Sequence, residues 1–230
     1  MHEPKNSPPS DTQPSPPDGR RRDAQRTRAE ILSVAREEFT RNGYAGARMD
    51  EIAARTRTTK RMIYYYFGSK ERLFTTVLEQ AYAQIRHAEQ ALDIEHLEPT
   101  AAIRRLAELT FDHHEAHPDF IRLVSIENVH EAAHITGSTS ASAANARAVE
   151  VTARILEAGR AAGVFTAEVD ALDVHMVISS FCFFRVGNRH TFGAIFGRDM
   201  TDPALHTKYR AMIGDMVVAY LAKGSLPHPV

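Results

Sequence analysis

From about residue 24 onward, apolar side chains recur at the spacing of a helical face. Ile31, Leu32, Ala35 and Phe39 predict a helix over about 24–42, and Gly43 suits the left-handed position just past its end. A short helix follows over about 48–55, with Met49, Ile52 and Ala53 pointing inward. After a break at Thr56-Arg57-Thr58-Thr59, a second short helix covers about 59–66 and closes at Phe67-Gly68. Ser69 is a good N-cap for a long helix over about 69–92 that carries Leu73, Phe74, Val77, Leu78 and Ala81. Pro99 opens a helix over about 100–117, and Pro118 restarts the chain, with Phe120, Ile121, Val124 and Glu127 at helical spacing. The stretch "TGSTSAS" predicts a loop, and helices over about 141–162 and 170–187 come next. Residues 188–202 read as a connection, and Pro203 begins the last helix. No alternating pattern or hairpin dipeptide signals a strand. The chain therefore reads as all-α, with about nine helices and no internal repeat.

Composition sharpens the two ends of this picture. "MHEPKNSPPSDTQPSPPDG" is too poor in apolar residues to offset its ordering entropy, so residues 1–22 are expected to be a disordered tail ending in Arg20-Arg21-Arg22. Cys182 is the only cysteine, which excludes an internal disulfide and fits a reducing, cytoplasmic setting. No apolar run approaches the ~18 residues of a membrane span, and no signal peptide is read.

Net charge is −1, but its distribution is uneven. Residues 20–85 hold 14 Lys/Arg against 8 Asp/Glu, net +6, whereas residues 86–230 hold 13 against 18, net −5. A basic segment followed by an acidic remainder implies a polyanionic partner for the first part only. Residues 48–67, "RMDEIAARTRTTKRMIYYYF", are two short helices around a tight turn, the helix-turn-helix layout that places its second helix in the major groove. Thr58, Thr59, Lys60, Tyr65 and Tyr66 offer phosphate contacts, together with Arg48 at the entry to the motif and Lys70 on the following helix. Arg61 is suited to guanine and Met62 to a thymine methyl. Ile63 and Phe67 are kept for the core, and Tyr64 is expected to pack between core positions.

The stretch "AREEFTRNGYAGARMDEIAARTRTTKRMIYYYFGSKERLF" resembles the tetracycline-repressor (TetR) family of bacterial transcription regulators. The likeness rests on Phe39, Gly43-Tyr44, Ile52-Ala53, the run Tyr64 to Phe67, and Ser69-Lys70-Glu71 with Leu73. It divides the chain into the tail, a helix-turn-helix domain over 23–85 and a helical effector-binding and dimerisation domain over 86–230. Two positions depart from the family pattern. Arg57 stands where the turn usually carries Gly, and Met62 where a small hydroxyl residue is common. A left-handed backbone at Arg57 would cost about 1 kcal/mol relative to Gly.

The resemblance implies a homodimer built on the last two helices. The sequence agrees, because 170–187 is apolar on more than one side and the last helix carries two apolar stripes. Leu172, Phe184, Leu205, Tyr209, Met212 and Met216 are the candidate dimer residues. The resemblance also implies an unknown small-molecule effector among the central helices, releasing a repressor from palindromic double-stranded operator DNA. Polar groups embedded in apolar helices make His114, Glu127, Asn128, Met176, Ser179 and Phe183 the candidate anchors. His113, His130, His134, His175, Ser180 and Arg185 belong to the same class.

One motif points elsewhere. His130, Glu131 and His134 spell H-E-x-x-H, the zinc-peptidase signature, within a stretch that reads as helical to about 134. Against a metal-dependent hydrolase stand Ser140, where a third His ligand belongs, and the lack of any strand to hold a substrate. Such a match also arises in roughly 4% of shuffled chains of this composition. No enzyme activity and no cofactor are expected, and His130/His134 remain only a remote metal pair. A helical interaction module without DNA binding is the other alternative.

Overall fold

A computed structural model describes residues 17–94 and 96–222. Ten helices and no strand occur among the described residues: α1 (Pro17–Gly46), α2 (Met49–Arg55), α3 (Lys60–Phe67), α4 (Lys70–Gln90), α5 (Pro99–Ala116), α6 (Pro118–Val129), α7 (Thr139–Ala161), α8 (Ala171–Gly187), α9 (Arg189–Phe196) and α10 (Pro203–Ala222). The first helix begins within the stretch expected to be a tail, so residues 17–22 are helical, and residues 1–16 lie outside the described ones. Helix α9 stands where the sequence pattern predicts only a connection. It is short, and its apolar Ile195 and Phe196 face outward rather than into a core, so no inward stripe betrays it.

Two apolar cores organise the chain. The first gathers Ile31, Leu32 and Phe39 from α1, Ile52 from α2, Ile63 and Phe67 from α3, and Leu73, Phe74, Val77 and Leu78 from α4. It also takes in Phe120, Ile121 and Leu123 of α6 and Val186 of α8. Thus α6, which belongs to the acidic part of the sequence, packs into the core of the basic part. The second core joins α5, α7, α8 and α10 through Ile103, Phe111, Ile155, Ile178 and Val217, among others.

Local chemistry explains the joints. At Gly43 the backbone adopts φ 70°, ψ 174°, a region essentially reserved for glycine, and α1 breaks there. Buried Glu38 then accepts from Asn42 Nδ2 (2.8 Å) and from the Arg48 backbone N–H (3.1 Å), fixing the approach to α2. Ser69, Ser138 and Asp170 cap α4, α7 and α8 by accepting from Arg72, Ala141 and Asp173 N–H. Ser138 also donates to Glu79 Oε1 (2.6 Å), pinning the start of α7 to α4.

Helices α8 and α10 each bury one face and expose another. Val174, Ile178 and Cys182 point inward on α8, while Leu172 and Met176 are each 60% exposed and Phe184 further along is also exposed. On α10, Ile213, Val217 and Leu221 are buried, and Met216 and Tyr220 are exposed. Leu205, Tyr209 and Met212 are half-buried, with Tyr209 packed against the second core.

Candidate nucleic-acid interface and interior polar cluster

The turn between α2 and α3 is built from backbone hydrogen bonds. Thr58 N–H reaches Ala53 O (3.2 Å), the Thr56 hydroxyl donates to Ile52 O (2.8 Å), and Arg57 takes φ 51°. The long six-to-one bond with a left-handed residue inside it is a Schellman closure. Arg57 therefore occupies the strained conformation that a glycine would adopt freely. Thr59 then caps α3 by accepting from Met62 N–H (3.2 Å).

Helix α3 buries Ile63 and Phe67 and turns Lys60, Arg61, Met62, Tyr64 and Tyr65 outward. Tyr65 is 78% exposed. The two neighbouring tyrosines exchange the places expected for them. Tyr64 is exposed, whereas Tyr66 is half-buried against the first core, with its ring 5.5 Å from Tyr65 and 6.4 Å from Phe67. The 100° step per residue puts Tyr66 beside Ile63 and carries Tyr64 past it.

Arg48 and Thr59 are exposed and Thr58 is half-buried at the mouth of the same surface. Lys60 pairs with Asp50 at 3.2 Å, which orients α3 on α2. Lys70 donates to Ala45 O (3.3 Å) and sits 5.1 Å from the Tyr44 ring centroid. Its partial burial holds its pKa below the usual lysine value, against the opposing pull of Glu38.

The H-E-x-x-H stretch is not helical. Helix α6 ends at Val129, and Glu131 and Ala132 take φ 54° and 59°. His130 and His134 therefore do not share a helical face, which removes the zinc-helix geometry that the motif requires. Instead the stretch is a turn built on Glu127. That buried carboxylate accepts from His134 N–H and Ile135 N–H (2.8 Å each) and bonds His134 Nδ1 at 2.7 Å. The His134 ring lies 4.1 Å from that of Tyr44 and 5.0 Å from that of Phe74, and its carbonyl accepts from Thr75 (3.0 Å). Among the described residues, no group of three His, Cys, Asp or Glu could hold a metal ion.

The six candidate effector anchors do not form one site. Glu127 spends its oxygens on the turn just described. Asn128 is exposed and donates to Val124 O of its own helix (2.9 Å). Met176 lies on the exposed stripe of α8 with Leu172. Phe183 is half-buried against the first core. His114 and Ser179 remain with a different set of partners. His114 is 4% exposed, and Ser179 Oγ lies 3.4 Å from His175 Nε2.

Near them α4 contributes Arg86 and Glu89, a buried ion pair of 2.6 Å that the sequence reading missed. Both fall on the inner side of α4, following Leu78, Ala81 and Ile85, and that phase was the available signal. Burial, with smaller contributions from neighbouring cations, pushes His113 down to about 4, His114 to about 3 and His175 to about 4. Glu89 is pushed up, chiefly by burial.

Comparison with known proteins decides the family. Residues 31–77 match the family model described as bacterial regulatory proteins, tetR family. Residues 99–217 match the tetracyclin repressor-like C-terminal domain. The chain belongs to the TetR family. It is 35% identical to the HTH-type transcriptional repressor NicS of Pseudomonas putida, over 89% of this chain and 96% of that one. It is 40% identical to the HTH-type transcriptional repressor SCO4008 of Streptomyces coelicolor over a shorter stretch, 47% of this chain and 53% of that one. In fold it resembles SCO4942 of Streptomyces coelicolor, with a TM-score of 0.65 and 28% identity over 88% of this chain and 99% of that one. A TetR-family regulator from Rhodococcus RHA1 gives a TM-score of 0.68 at 18% identity, over 85% of this chain and 97% of that one.

TetR-family proteins are DNA-binding transcriptional regulators, not enzymes, and are typically ligand-responsive dimers. Helices α2 and α3 lie within the stretch that matches the tetR-family model. No helix among the described residues is long and apolar enough to cross a membrane.

Proposed function

We propose that this chain is a cytoplasmic, dimeric TetR-family repressor that a small molecule releases from a palindromic operator. The observation that carries the reading is α3, which spends Ile63 and Phe67 on its core and presents Lys60, Arg61, Met62 and Tyr65 to solvent. Arg48, Thr58, Thr59, Tyr66 and Lys70 flank that face as phosphate contacts, and Arg61 reads a base. The repressor sense is supported by the names of NicS and SCO4008.

The exposed apolar stripes of α8 (Leu172, Met176, Phe184) and α10 (Met216, Tyr220) are the proposed dimer face. A helix that is apolar on two sides needs a partner on each. Two-fold pairing there sets two copies of α3 about one DNA turn apart. The effector is assigned to the polar cluster between α4, α5 and α8.

A mobility-shift assay with DNA flanking the protein's own gene tests this. A shift that weakens steeply with salt is expected. Arg61→Ala should relax sequence preference, whereas Lys70→Ala should weaken all sequences alike and lower the salt slope by about 1. Absence of any shift at low salt defeats the reading.

A further inference from the structure

The interior cluster strands nitrogens that the protein itself does not satisfy. Arg86 is 6% exposed and donates one NH1 hydrogen bond to Glu89, yet its Nε has no partner. His113 Nε2 and His114 Nδ1 are likewise buried and unpartnered. The two histidine rings are 6.4 Å apart, and each faces Phe120, at 6.1 and 5.6 Å. Tyr82 meets Phe120 edge-on at 5.3 Å. A buried polar group without a partner costs about 1–3 kcal/mol, and here the Arg86 Nε donor joins two histidine nitrogens whose rings flank Phe120. Arg185 Nε is also unpartnered, but that guanidinium lies 3.9 Å over the Phe111 ring, donates to Met200 O (2.8 Å) and pairs with Glu115. Its geometry is accounted for without a ligand.

We propose that the effector is a small aromatic carboxylate, taken up with one proton, whose carboxylate accepts from Arg86 and His114 and whose ring lies against Phe120. This rests on the reading of the chain as an effector-responsive repressor. Arg86 selects an acceptor, and a neutral imidazole can turn its N–H towards the same group. Arg Nε–H can only donate, and an ionised carboxylate is acceptor-only, with room for several donors. An ammonium ligand would meet Arg86 with like charge, and the guanidinium has no atom that accepts.

Charge balance separates a carboxylate from a neutral amide. The groups facing the three histidines are Arg86 and Glu89 from α4, Arg36 from α1, His117 and Asp119 at the start of α6, and Arg185 from α8. Arg86 is already matched by Glu89, Arg185 by Glu115 and Arg36 by Asp119. An added anion therefore has no unmatched arginine. Neutral imidazoles beside it supply the compensating charge by taking a proton from water onto a ring nitrogen.

The test uses the purified full-length protein with millimolar benzoate, benzamide or benzylamine, read by thermal unfolding and by release of operator DNA. Benzoate is expected to raise Tm and release DNA, and the other two are not. Benzoate affinity is expected to rise between pH 8 and pH 6, by up to about tenfold per pH unit for one proton taken up. Arg86→Gln and His114→Leu are expected to abolish the benzoate-induced rise in Tm, and the wild-type series stands even if either variant misfolds. Stabilisation and release by benzamide or benzylamine instead would overturn the ligand class while leaving the effector reading intact. A flat pH profile for benzoate, or silence from all three probes on a protein that shifts DNA, overturns the proposal. Failure to shift DNA at all is the separate failure of the repressor reading.

Discussion

Removing the Glu127 carboxylate is the sharpest perturbation of the turn that replaces a zinc helix. Glu127 is 5% exposed and makes three hydrogen bonds of 2.7–2.8 Å, two from backbone N–H groups and one with an imidazole nitrogen. Hydrogen bonds to an ionised group contribute about 1.5–3 kcal/mol each, and those sharing one acceptor do not add fully. The same carboxylate offsets the left-handed backbone at Glu131 and Ala132, which costs about 1–2 kcal/mol per residue. Glu127→Ala is therefore expected to destabilise the chain by about 3–5 kcal/mol, a large share of the roughly 5–15 kcal/mol that holds a domain together. Glu127→Gln keeps one acceptor oxygen and should lose about half as much.

The chain has no Trp, so helical circular dichroism during urea unfolding is the natural signal, at one fixed protein concentration because a dimer couples stability to mass action. Hydrogen exchange adds the local readout. The amides of His134 and Ile135 should lose protection in Glu127→Ala before the rest of α6 does. A stability loss below about 1 kcal/mol, or unchanged exchange at those two amides, would refute the reasoning.

Three further expectations follow from single features. Arg57→Gly relieves a φ of 51° at the helix-turn-helix turn and should stabilise by up to about 1 kcal/mol, partly offset by the greater entropy of glycine in the unfolded chain. That is a Tm rise of a few degrees by calorimetry, and a fall in Tm would contradict it. Gly159→Ala places a methyl 1.9 Å from a carbon of the buried Phe165 ring, so a loss of about 1–3 kcal/mol is expected in urea unfolding. The pH dependence comes from His113, His114 and His175, whose folded pKa values of about 4, 3 and 4 lie below the ordinary 6.5. Because the unfolded chain binds these protons more readily, their contribution is fully present above pH 6.5. It is lost as pH falls from 6.5 towards 4, by at most about 1.4 kcal/mol per pH unit for the buried His114 and by less for the half-buried His113 and His175. His114→Leu should flatten that decline, and an unaltered profile of unfolding midpoint against pH would count against the assignment.

How far the sequence could be read depends on which contacts decide each feature. Helices α1 to α8 and α10 follow from periodicity and punctuation, because a core-facing stripe and a capping Ser, Pro or Gly are local properties. The outward face of α3, the proposed DNA-reading surface, is legible for the same reason. Ile63 and Phe67 point inward, and what remains of α3 is what DNA can meet. Tyr64 and Tyr66 were exchanged because one helical step decides between core and surface, and the neighbour that covers Tyr66 comes from elsewhere in the fold.

The interior site was harder, since a polar residue on an apolar helix carries no sign of its partner. Glu127 and His114 look alike in the sequence, two polar groups among hydrophobes. Glu127 is consumed by backbone N–H groups seven and eight residues on, whereas His114 Nδ1 is left without a partner. Arg86 and Glu89 look like an ordinary surface pair three residues apart until the helices packed on α4 bury them. The H-E-x-x-H motif shows the same limit from the other side. Its spacing carries meaning only on a helix, and two left-handed residues inside it convert a metal-binding pattern into a clasp. That clasp seats His134 on Tyr44 and Phe74, and the Tyr44 ring is also the one that Lys70 covers. The residues that most resembled a second function thus join the effector-side helix α6 to the core of the DNA-binding helices. This placement makes the Glu127 variants a test of coupling as well as of stability. If the clasp transmits effector binding, Glu127→Gln should still bind operator DNA and yet release it less completely on ligand addition. Equal release by the variant and the wild type would confine the clasp to holding the fold.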